Sequence, residues 1–204
     1  MKFIEEKVFL EMMELAGIAS CDDGRSLRYK VEDGAQGFDF TNLALPDKPM
    51  APYEVIGGGD RSVEYAMVST VFKIFEALKL FPLYLYTIDD EWAAEELDPL
   101  VKKGLLTPEE GEILNLVADE DHNMDVVMIE REDLAVAVRL IAPQFTIFQT
   151  SCAVTDAKGR ALILFSPDDE VSFNTKDKDI YEKASRMVKS LENLPFETIW
   201  ADSY

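Results

Sequence analysis

The stretch that most constrains this fold is Arg61–Ile88, where a broad apolar helix pattern passes through a proline into an aromatic, β-branched run. Val63, Met67, Val71, Phe75 and Leu78 recur at spacings of four and three, the repeat of one helical face. Ala66, Phe72 and Ile74 widen that face, while Ser69, Lys73, Glu76 and Lys79 mark the polar side. A stripe this broad predicts a helix packed deep against other elements. Asp60, after Gly57-Gly58-Gly59, is the expected N-cap, because its carboxylate can accept from the unpaired first-turn amides. No Lys-Ser/Thr pair follows those glycines, so they read as a tight turn and not as a phosphate cradle. Pro82 has no amide hydrogen and restrains the residue before it, so the helix should stop near Leu80. Leu83-Tyr84-Leu85-Tyr86-Thr87-Ile88 then predicts an inner strand.

The flanking chain supplies the layers this unit needs. Phe3, Ile4, Val8, Met12 and Leu15 predict a first helix closed by Gly17. Leu27–Val31 and Phe38–Phe40 alternate as strands, and Asp33-Gly34 between them suggests a hairpin. Tyr53–Ile56 reads as a short strand after the proline-rich connector Pro46–Pro52. Asp89 or Asp90 is expected to cap a helix through Leu97 that Leu100–Lys103 extends to Gly104. Thr107-Pro108-Glu109-Glu110 combines a threonine N-cap, a proline at the first helical position and a glutamate at the third, predicting a helix to about Ala118. Val126–Ile129 suits a strand or a buried turn, and Glu132–Ile141 a helix ended by Pro143. Strands Phe145–Val154 and Arg160–Phe165 flank the turn Asp156–Gly159, and Val171–Phe173 extends the meander. Asp177 caps a last helix through Leu191. This order predicts one α+β domain over 1–204, a mixed or mainly antiparallel sheet covered by helices, with an acidic helical region at 89–133 on one side.

A chain of 204 residues can bury roughly 70% of the surface it exposes when unfolded, so it needs no metal or disulfide to fold. Cys21 and Cys152 lie far apart and match no metal spacing. Met1-Lys2 runs into Ile4-Glu5-Glu6-Lys7 without an apolar signal core, and the most apolar window, Tyr65–Tyr86, is broken by Lys73, Glu76, Lys79 and Pro82. A cytoplasmic protein with reduced thiols and no membrane span is the expectation.

Net charge is −20, and its distribution carries the functional reading. Between Asp89 and Asp133 sixteen acids face three bases, Lys102, Lys103 and Arg131. Such a field repels nucleic acid and anionic membranes and attracts a basic protein partner; the same charge also serves solubility. The expected function is therefore an acidic binding protein of inhibitor type, immunity- or antitoxin-like, whose carboxylates occupy positions that phosphates otherwise take. The expected contact residues are Asp89, Asp90, Glu91, Glu95, Glu96, Glu109, Glu110 and Glu112, with Trp92 as an apolar anchor.

Two other readings compete. One is a carboxylate-based hydrolase for an unidentified small substrate, with a pocket near the end of the central strand where Tyr84, Tyr86 and Trp92 stand beside acids. No catalytic residue is singled out: His122 is the sole histidine, and neither it nor Cys152 carries a nucleophile signature. The other is a calcium-responsive loop. Asp119, Asp121, Asn123, Asp125 and Glu130 fall at loop positions 1, 3, 5, 7 and 12, with Val126 at position 8, and so resemble an EF-hand. Met124 stands where that loop has glycine, and Val127 supplies no oxygen at position 9. Calcium is the only cofactor this pattern brings into view.

Overall fold

In the computed structural model, which describes residues 1–21, 25–29, 34–41, 62–89, 91–94, 96–119, 121–122, 124–166 and 170–200, the predicted helix and strand form the centre of an α+β fold. The chain runs β1 (Lys2–Ile4), α1 (Glu6–Leu15), β2 (Ile18–Ser20), β3 (Leu27–Tyr29), β4 (Gln36–Thr41), α2 (Ser62–Leu78), β5 (Leu83–Thr87), α3 (Leu97–Lys102) and α4 (Pro108–Val117). It continues through β6 (Val126–Ile129), α5 (Leu134–Pro143), β7 (Cys152–Asp156), β8 (Ala161–Ser166), β9 (Glu170–Thr175), α6 (Lys178–Ser190) and β10 (Glu197–Trp200). Eight strands form one antiparallel sheet in the order β1-β6-β5-β7-β8-β9-β4-β10, and β2 and β3 pair separately.

Both faces of β5 are buried, and strand alternation explains how. Leu83 and Leu85 point to one side and pack with Val127, Ile129, Val154, Ile163 and Phe173 beneath α2, α5 and α6. Tyr84 and Tyr86 point to the other, where α1 drops Phe9 and Met13 onto them and the β2–β3 pair adds Ile18, Leu27 and Tyr29. Each such buried side chain contributes about 1.5–3 kcal/mol over exposure. Cross-strand register aligns aromatic partners too: Phe38 lies opposite Phe173, and their rings stack at 4.8 Å.

Several boundaries differ from the sequence expectation. Phe3 and Ile4 belong to β1, which pairs with β6 and not with the helix that follows. Leu27–Tyr29 pairs with β2, and β4 pairs with β9 and β10, so the expected hairpin between them does not form. Residues 91–94 are not helical; the helix starts at Leu97, after Glu96 takes a positive φ of 54°. Past Pro143 the chain does not extend as a strand but closes one π-turn over Gln144–Phe148, next to a proline that has no amide hydrogen to donate to the preceding helical turn. Asp60, its preceding glycines and Tyr53–Ile56 lie outside the described residues.

Candidate functional site

The sheet topology brings one set of strand ends together. β1, β5, β8 and β4 end where β6, β7, β9 and β10 begin, as the pairings Ile4–Val126, Thr87–Cys152, Ser166–Glu170 and Thr41–Glu197 show. Glu5, Asp89, Asp125, Glu170 and Glu197 all fall at this end, and α3 and α4 leave from it as one excursion between β5 and β6.

That excursion is tied down by buried polar side chains. The Trp92 indole N–H donates to the Asp125 carbonyl at 2.9 Å, holding the loop after β5 against the turn before β6. Gln144, fully buried in the π-turn, donates to the Ala93 carbonyl at 2.7 Å and accepts from the Ala93 amide at 3.3 Å. Thr150 donates to the same Gln144 side chain at 2.8 Å. Asp89 accepts from the Ser151 amide at 2.8 Å. Gln144 was not visible as a site residue in the sequence, since a glutamine after a helical proline carries no signal of its own.

The expected contact residues divide accordingly. Glu91, Glu96, Glu109 and Glu112 are exposed, and no ion pair among the described residues takes up any of them, nor the neighbouring Asp98. Asp89 is exposed but spends one oxygen on the loop. Glu110 is 4% exposed and closes the capping box of α4 with Thr107, so it is a helix-start residue and not a contact residue. Trp92 is 2% exposed within the helix-side core, which corrects its reading as a surface anchor. Asp90 and Glu95 lie outside the described residues.

The twelve-residue loop does not close on a point. Val126–Ile129 is a strand paired on both sides, so Glu130 sits at the opposite end of β6 from Asp119, Asp121 and Asp125, about 16 Å of extended chain from Asp125. Asp125 instead faces His122 Nδ1 at 3.0 Å, the His122 ring stacks on Phe3, and Asn123 lies outside the described residues. Among the described residues no group of three or more His, Cys, Asp or Glu side chains is gathered as a metal would need. The same strand carries Glu130, Glu132 and Asp133 to the far end of the sheet, so 89–133 is not one acidic face.

Nor do Tyr84, Tyr86 and Trp92 line one pocket: the tyrosines are buried under α1, and Trp92 is buried on the other face of the sheet. Cys152 is fully buried, and burial pushes its thiol up to about 12, the reverse of an activated nucleophile. Comparison of the chain with protein-family models, with curated proteins and with solved structures gave no match. No helix among the described residues is long and apolar enough to cross a membrane.

Proposed function

We propose that this protein is an acidic binding protein of inhibitor type that takes a basic protein partner by electrostatic complementarity. One observation carries the reading. Glu91, Glu96, Asp98, Glu109 and Glu112 are exposed, without ion pairs among the described residues, on an excursion that buried Trp92 and Gln144 hold fixed. Carboxylates on a tethered platform lose little conformational freedom on binding, and their summed field steers a cationic surface towards them. A partner would meet these groups first, so association should be fast at low salt and fall steeply as salt rises.

The test is parallel capture from a lysate of the native host. The wild-type chain and a Glu91→Lys, Glu96→Lys, Glu112→Lys variant are immobilised at low salt and eluted by a salt gradient. A basic protein held by the wild type, released at moderate salt and absent from the variant is the expected outcome. A variant that retains the same protein to the same salt concentration, or a wild type that retains nothing specific, overturns it.

A further inference from the structure

A groove of about 440 Å³ runs between α1 and β2, on the face of the molecule that covers Tyr84 and Tyr86. Its floor is apolar, with Leu10, Met13 and Leu27, and its rim carries Glu11 and Glu14, both exposed. Glu6 also borders it but is engaged by Arg25 at 3.1 Å and by the Tyr86 hydroxyl at 2.8 Å. Among the described residues that line it, Lys7 is the one base.

The second wall is β2, through Ile18, Ala19 and Ser20. The Cys21 amide donates to the Ser26 carbonyl at 2.7 Å. Bonded and non-bonded positions alternate along an antiparallel pair, and Cys21–Ser26 continues the register Ile18–Tyr29, Ala19–Arg28, Ser20–Leu27. Ala19 therefore turns its N–H and C=O towards β3, while Ile18 and Ser20 turn theirs to the opposite edge. Among the described residues β2 has no strand partner other than β3. Backbone donors and acceptors aligned along a groove form a template for another strand.

We propose that this groove takes an extended basic segment of the partner protein, which adds to the edge of β2 that no described strand takes up. The inference rests on the preceding reading for the sign of the partner's charge and adds the form in which that charge is presented. Alternate side chains of an added strand point to opposite sides. Apolar ones would meet the half-buried Leu10, and the basic ones between them would reach Glu11 and Glu14. α1 is about 15 Å long, which an extended segment of about five residues matches.

The probe is a fluorescein-labelled Lys-Val-Lys-Val-Lys peptide, with binding to the full ¹⁵N-labelled chain read by anisotropy and amide shifts. Shifts should centre on Ile18–Ser20 and α1. Two peptides N-methylated at complementary sets of alternate residues have equal charge, so only strand addition separates them: one should lose binding and the other keep it. Ser20→Pro removes an edge donor where proline is tolerated and should weaken binding about fivefold, the loss of one hydrogen bond. Glu11→Lys with Glu14→Lys should flatten the salt dependence. Shifts centred elsewhere, equal binding of the two methylated peptides, or no shift at about 1 mM peptide overturns the proposal. Should Ser20→Pro fail to fold, the methylated peptides on the wild-type chain decide the matter. The Glu91→Lys, Glu96→Lys, Glu112→Lys variant should bind the peptide unchanged, so failure of the acidic excursion and failure of the groove are read separately.

Discussion

Asp156 has the most demanding environment of any single carboxylate described in the molecule. It is fully buried at the end of β7, accepting from the Arg160 amide at 2.7 Å, the Arg160 Nε at 2.8 Å and, more weakly, the Lys158 and Ala161 amides. Its carboxylate thereby fixes the β7–β8 turn, on which Gly159, at φ 58°, sits under Ala16 and Ile18. Asp156→Ala would leave these donors, the buried Ala161 amide among them, without their acceptor, and a loss of about 2–4 kcal/mol in urea unfolding is expected. The sequence showed the turn, but an aspartate in a turn does not announce that it is buried. Tyr29 and Tyr86 give a pH prediction. Burial raises both phenols first; Asp156 and Asp177 add to the shift of Tyr29, and Glu6 to that of Tyr86, which Arg25 partly offsets. An unfolded phenol ionises near about pH 10, whereas these stay protonated above it, so the unfolded state sheds protons that the folded state keeps. Their contribution is complete below about pH 10 and is lost as pH rises further. In an alkaline titration the tyrosinate absorbance of this pair should appear together with loss of circular dichroism, not before it.

At the scale of elements, the caps were the most legible features. Thr107 accepts from the Glu110 amide at 3.2 Å and Glu110 accepts from the Thr107 amide at 2.7 Å, the reciprocal pair that the four-residue spacing predicts. Thr107→Ala should cost about 1 kcal/mol, read as a lower urea midpoint with an unchanged slope. Asp177 likewise caps α6 by accepting from Asp179 and Ile180. Strand partners were not legible in the same way. Gly37 in β4 shows why: a Cβ there would press into the Phe173 carbonyl oxygen and Asn174 Oδ1 of β9, more than a hundred residues along the chain. Gly37→Ala should destabilise by about 1–3 kcal/mol, because backbone and not a flexible side chain must give way; a thermal midpoint equal to wild type would refute this.

For the whole molecule, a net charge of −20 implies self-repulsion that counter-ions relieve. Raising salt to about 0.15 M, where the screening length is about 8 Å, should raise the melting temperature. A gain of about 1 kcal/mol would appear as about 2–4 °C for a chain of this size, and a melting temperature that falls with salt would show attractive pairs prevailing instead. The same screening should weaken capture of a basic partner, so stability and partner binding are expected to respond to salt in opposite directions.

What the sequence determined by itself was local and periodic. The face of α2, the inner strand β5, the caps of α4 and α6 and the turn at Asp156–Gly159 follow from contacts within a few residues, where spacing and backbone chemistry suffice. The tertiary structure alone decided which strands pair, that β6 divides the acidic region between two ends of the sheet, and that Trp92 turns inward. It also decided that β2 pairs with β3 and lines a groove beside α1. The physical reason is the same in each case. Burial and strand pairing are non-local: a tryptophan reads alike in sequence whether it faces water or a neighbour more than thirty residues away.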